Sequence, residues 1–219
     1  MQLPRKHKGF TLIEIAIVLV IIGLLLGGVL QGQQLIENSR VKQAVNTFNA
    51  LGTAALAYQE RYGRLPGDDP GAVAARGATW PGGAAPAASN GVIDALVANT
   101  FLGVGETGFF FRNLRSAGFI AGNPAFTLAA ALPQNPFGGL VGITTDPVNG
   151  VVNGTKICMN NVGGTAAIAL DTQLDDGLIA TGRVRSTLSG AGGSAVPVGA
   201  AAAGVYVEQN IYIVCSRVM

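Results

Sequence analysis

A chain of 219 residues is long enough for one domain with a real buried core. Only 12% of the residues are charged, 32 are glycine and the mean hydropathy is +0.42, which excludes a highly charged disordered chain and an enzyme of ordinary cytosolic composition. Of the net charge of +2, Arg5, Lys6 and Lys8 sit ahead of Phe10, leaving 11 basic against 12 acidic residues in the body, with no basic tract to neutralise a run of phosphates.

Met1 to Lys8 is short and basic, and it holds His7, the only histidine. A Ser/His/Asp triad, a Cys/His pair or a His-ligated zinc therefore has no imidazole in the body of the chain. From Phe10 to Leu30 every residue is apolar or glycine except Thr11 and Glu14. These 21 residues, at about 1.5 Å each, make roughly 32 Å of helix, the thickness of a hydrocarbon core. The leading cations stay on the cytoplasmic side, which sends the bulk of the chain across. A secretory signal would have a shorter apolar region and a small-residue cleavage site, and none follows Leu30.

The run Lys8-Gly9-Phe10-Thr11-Leu12-Ile13-Glu14, followed by unbroken apolar sequence, resembles the type IV prepilin and pseudopilin family at every position of its motif. The resemblance implies cleavage between Gly9 and Phe10 by a membrane peptidase, methylation of the new amino terminus of Phe10, and survival of the apolar helix as an assembly element. A carboxylate in hydrocarbon costs roughly 2.5 to 3.5 kcal/mol on insertion scales and is usually paired or functional. Cleavage would place an α-amine four residues before Glu14. In a staggered stack of helices the amine of one Phe10 then meets the Glu14 of its neighbour, which sets the register. The competing reading is a carboxylate at a helix start, favoured by the macrodipole. Where many family members have a proline, this chain reads Gly27-Gly28-Val29-Leu30-Gln31-Gly32, and glycines supply the local loosening instead.

Past Gln31 the chain turns polar. Val41, Val45, Phe48, Leu51, Ala55, Tyr58 and Tyr62 recur at steps of three or four and form one stripe of an amphipathic helix, expected to pack on a sheet as plain core. The segments are a leader over 1–9, a membrane or filament-core helix half over 10–32, an amphipathic half over 33–62, and a globular domain over 63–219. The helix runs for about fifty residues and stops at Gly63-Arg64-Leu65-Pro66-Gly67-Asp68-Asp69-Pro70. That turn, a short helix like Asn113-Leu114-Arg115-Ser116-Ala117-Gly118-Phe119-Ile120 and the segment Asp171-Thr172-Gln173-Leu174-Asp175-Asp176-Gly177 resemble a subset of the prepilin family.

Gly71 to Asn90 and Ser186 to Gly204 are rich in Ala and Gly and read as long loops. Strands are expected over Gly150 to Met159, Thr165 to Leu174 and Val205 to Cys215. The fold class is α+β, a long helix on a small, mainly antiparallel sheet.

Cys158 and Cys215 both fall in expected strands on the exported side, where an even pair is most simply a disulfide. Gly103-Val104-Gly105-Glu106-Thr107-Gly108 satisfies the dinucleotide-binding spacing, but no acidic residue between Glu106 and Asp146 is there to hold a ribose, and it reads as a loop before a helix start at Phe109-Phe110-Phe111. Asp171, Asp175 and Asp176, with Asp68 and Asp69, are the acidic clusters. Some pseudopilins hold calcium in a late loop, so the first three are weak calcium candidates. The spacing lacks an EF-hand ladder, and turn-forming Asp is the better reading, so no cofactor is expected. Asn153-Gly154-Thr155 fits a glycosylation acceptor at a length that chance supplies.

No catalytic constellation remains, and the expectation is a structural subunit rather than an enzyme. It is held in the inner membrane with its domain in the periplasm, then packed into a surface pilus or a secretion pseudopilus. The resemblance implies the prepilin peptidase, the assembly platform with its ATPase, and other pilins as partners. The alternatives are a minor tip pilin that binds a surface, a secreted protein or DNA, for which Arg76, Trp80, Arg112 and Arg115 are too scattered to decide, and a membrane-anchored periplasmic enzyme.

Overall fold

The computed structural model describes residues 11–70, 76, 80, 89–150, 153–189 and 204–218. The chain divides into two compact units, Met1–Ser39 and Arg40–Met219. One helix, α1 (Leu12–Tyr62), contributes to both. It contains no proline. Its end follows from Gly63, whose φ of +65° no β-carbon would favour and whose N–H donates to the Gln59 carbonyl at 2.8 Å.

In the second unit the stripe on α1 becomes core: Val41, Ala44, Phe48, Leu51, Ala55 and Tyr58 are buried, while Val45 and Tyr62 are half-buried at its margins. The same core takes in four strands: β1 (Val141–Thr144), β2 (Lys156–Gly163), β3 (Val184–Leu188) and β4 (Ile211–Arg217). They form one sheet in the order β1-β2-β4-β3, antiparallel throughout. Registers such as Val141 opposite Met159 and Ser186 opposite Val214 fix which side chains share a face. The β2–β4 ladder slips between Met159 and Val162, beside Asn161 at positive φ. Among the described residues, two further α-helices are α2 (Glu106–Ser116) and α3 (Gly164–Leu174). This is the expected α+β, pilin-like architecture.

Several expected elements move. Thr165 to Leu174 is a helix, not a strand: Ala166, Ala167, Ala169 and Leu170 are strong helix formers, and the buried set Ala166, Ala167, Leu170 and Asp171 follows the helical period. The strand expected over Gly150 to Met159 begins only at Lys156 and runs on to Gly163. The one expected from Val205 begins at Ile211, because residues 207–210 form a turn closed by the Asn210 N–H on the Val207 carbonyl. Ser186 to Leu188, read as the start of a loop, belongs to β3. The helix expected at Asn113 to Ile120 is α2, which starts seven residues earlier. Its first turn includes Gly108, where a β-carbon would lie 2.1 Å from the Gly103 carbonyl oxygen. Most of the loop expected over Gly71 to Asn90 lies outside the described residues, as does nearly all of 190–204.

Candidate functional site

Gly9 and Phe10, the expected cleavage and methylation positions, lie outside the described residues. The helix beside them begins at Leu12, and Thr11 and Glu14 close its first turn. The Glu14 carboxylate accepts the Thr11 N–H and the Thr11 hydroxyl, both at 2.8 Å, while the Glu14 N–H donates to Thr11 Oγ1 at 3.3 Å. This is a capping box, which satisfies donors that a helix start leaves orphaned. Thr11 is the residue that reading the sequence for charge alone misses; its signal is the Thr-x-x-Glu spacing. Glu14 therefore starts from a bonded state, and any amine that takes it must compete with Thr11.

From Leu12 to Leu30, Glu14 apart, the helix offers an apolar surface on all sides. Leu12 is 93% exposed and Leu24 77%, and Ile13, Leu19, Val20, Leu25, Leu26 and Leu30 are all more than half exposed. An apolar surface continuous around a helix calls for an apolar environment, either lipid or other helices. Leu12–Tyr62 is, among the described residues, the helix long and apolar enough to cross a membrane, and none of its most apolar window is buried within the chain.

In the second unit Cys158 on β2 and Cys215 on β4 are register partners, fully buried, and joined by a disulfide. The bond closes a stretch with a sequence separation of 57 residues that carries α3 and β3, and ties it to the two central strands. A closure of that length is worth about 4 kcal/mol on the chain-entropy account.

The two acidic clusters form separate networks. Asp68 is buried and accepts the N–H groups of Asn90 at 3.1 Å and Gly91 at 2.8 Å, which fastens the turn after α1 to the chain beyond the loop. Asp69 accepts the Tyr58 hydroxyl at 2.8 Å and pairs with the Arg76 guanidinium, which lies 4.1 Å from the centre of the Tyr62 ring and 4.8 Å from that of Trp80. Burial, together with the bond to Asp69 and its charge, pushes the Tyr58 hydroxyl well above the usual phenol range. Arg76 and Trp80, scattered in sequence, thus meet on the end of α1. Arg112 and Arg115 turn to backbone carbonyls instead, of Pro124 and of Ala121 and Ala131.

Asp171, Asp175 and Asp176 can bring one oxygen each within 4.8 Å of the others, a spacing open to a cation. Their oxygens also serve the local chain. Asp171, fully buried, accepts the Gly177 N–H and the Tyr206 hydroxyl; Asp175 accepts the N–H groups of Arg183 and Val184; Asp176 accepts Leu178 N–H and the Thr181 hydroxyl. Burial raises the Asp171 carboxyl to about 6 against the pull of its two donors, with the charges of Asp176 and Asp175 adding to the rise. The triplet Asn153-Gly154-Thr155, read in the sequence as a chance match, places Thr155 in a buried position, and Lys156 beside it is fully buried, its ammonium donating to the carbonyls of Thr145 and Gly154.

Residues 4–30 match the family model described as the prokaryotic N-terminal methylation motif. The chain carries the type IV prepilin-type signal. No curated protein and no solved structure matches it.

Proposed function

We propose that the chain bearing this prepilin-type signal is a subunit of a type IV pilus or of a type II secretion pseudopilus, cut by prepilin peptidase after Gly9, methylated on Phe10 and polymerised through residues 10–32. The observation that carries the reading is the pairing of the matched motif with an apolar helix that the rest of its own chain leaves uncovered. Before assembly the chain crosses the inner membrane once, with residues 63–219 in the periplasm and 33–62 joining the two. The mechanism is non-catalytic. Apolar burial of Ile15 to Leu30 against like helices supplies the attraction. Glu14 supplies the register by exchanging its Thr11 donors for the amine of a neighbouring Phe10. The assembly platform with its ATPase and the other pilins are the partners this role requires.

A second reading, a minor tip subunit that binds a surface or another macromolecule, draws on Arg76 and Trp80 coming together at the end of α1. The first reading is favoured because the Arg76 charge is already paired with Asp69. Mass spectrometry of the amino terminus of protein sheared from cells tests the proposal. Peptides beginning at methylated Phe10 are expected; a population that retains Met1 to Gly9 throughout would overturn it.

A further inference from the structure

A groove of about 140 Å³ opens in the second unit where α1 meets the carboxyl-terminal end of β4, lined by Phe48, Asn49, Arg183, Ser216, Arg217 and Val218, with Gly52 in its wall. The Arg217 N–H donates to the Arg183 carbonyl at 3.0 Å, and the Arg183 N–H is held by Asp175, so the two arginines are mounted side by side on fixed backbone. Both are exposed, and neither guanidinium has a hydrogen-bond or ion-pair partner among the described residues. Ser216, 1% exposed, has a hydroxyl with no hydrogen-bond partner. Two arginines, an asparagine and an orphaned hydroxyl line a mainly polar groove with Phe48 and Val218 at its wall, a receptor for a carboxylate.

The opposite end of β4 carries a carboxylate. Glu208 stands in the 207–210 turn, exposed and without a side-chain partner among the described residues, flanked by Val205 at 79% exposure and by exposed Val207 and Ile211. β4 rises about 3.3 Å per residue, so Ile211 and Arg217 are about 20 Å apart, beyond the combined reach of a glutamate and an arginine. A chain's own Glu208 cannot enter its own groove.

We propose that the Arg183–Arg217 groove receives the Glu208 turn of a second copy of this chain, joining globular domains head to tail. A heterologous contact of this kind leaves a free turn at one end and a free groove at the other, and propagates unless its rotation happens to close a ring. The inference deepens the polymer reading and rests on it.

The full chain already has its cysteines paired, so introduced thiols report cleanly. In cell membranes the double variant Glu208→Cys with Arg217→Cys should give a ladder of oxidant-linked multimers, and each single variant no more than dimers. In chains without introduced thiols, charge reversal by Glu208→Arg or by Arg217→Glu should each cut the yield of polymer sheared from cells about ten-fold, and the two together should restore it to within about two-fold. Restoration separates a direct contact from mere disturbance of two surface sites. An Ile17→Cys variant reports helix-to-helix packing in the same membranes. Ile17 links without a 208–217 ladder overturn the groove contact and leave the polymer reading intact; loss of both kinds of link overturns the two together.

Discussion

Residues Leu12 to Leu30 and Val41 to Tyr58 belong to one continuous helix, yet the first stretch keeps its apolar side chains exposed and the second buries them. The first is apolar on every side; the second is a stripe with polar residues between. A stripe can be satisfied by one core, as Phe48 and Tyr58 are, whereas an all-round surface needs partners on all sides. The helix therefore serves two solvents. The second stretch should contribute to the stability of the folded domain, and the first to association without contributing to that stability.

The largest test of that division is Glu14→Ala. Removing the carboxylate strips the cap and the register device together, and filament yield from cells should fall at least about ten-fold. The unfolding transition of the domain should stay where it is, because a lost cap is worth about 1 kcal/mol at a helix start far from the core. A shifted domain transition, or normal yield, would break the comparison. Next in size is the disulfide. Cys158→Ser with Cys215→Ser should cost the domain about 4 kcal/mol, measured by denaturant unfolding, while insertion and processing of the first stretch continue.

How legible these two regions were follows the same physics. The first stretch was plain in sequence because hydropathy needs no tertiary context, and the stripe on α1 because its spacing is helical. Thr11 escaped a reading for charge alone because its role depends on Glu14 three residues on. β3 was obscured because its inward positions include Ser186, a polar residue that is buried with the Tyr206 hydroxyl as its partner. α3 reads as an apolar run in which alanine, indifferent to face, hides the period. The meeting of Arg76, Trp80, Tyr62 and Asp69 is set by where the chain returns after a long loop, which no local pattern specifies.

That cluster sharpens the boundary of the second stretch. Tyr58→Phe keeps the ring in the core and removes one bond to Asp69, which still has Arg76. A loss of about 1.5 to 3 kcal/mol is expected, for a hydrogen bond to a buried charge. Arg76→Gln in the Tyr58→Phe background should cost more than it does alone, since Asp69 then loses both the Tyr58 hydroxyl and the Arg76 guanidinium. Additive losses would mean that the two donors act independently.

The smallest effect belongs to Asp171, and it separates the regions by pH. Its carboxyl ionises near 6 in the folded domain and near 3.8 in an unfolded chain, because burial opposes the charge more than the Tyr206 and Gly177 donors favour it. Protonation therefore favours the fold: the stabilisation is complete below about 3.8 and is lost as pH rises through 6. Tyr206, Gly177, Asp175, Asp176 and Ser186 are the groups around this network. From the folded and unfolded values, ionisation should cost the domain about 1 kcal/mol between pH 5 and 7.5. Asp171→Asn should flatten that slope and raise stability at pH 7.5, where the wild-type carboxylate is charged. It should leave membrane insertion untouched at both pH values. An unchanged slope in the variant would assign the pH dependence to other groups and leave Asp171 a plain acceptor at the end of α3.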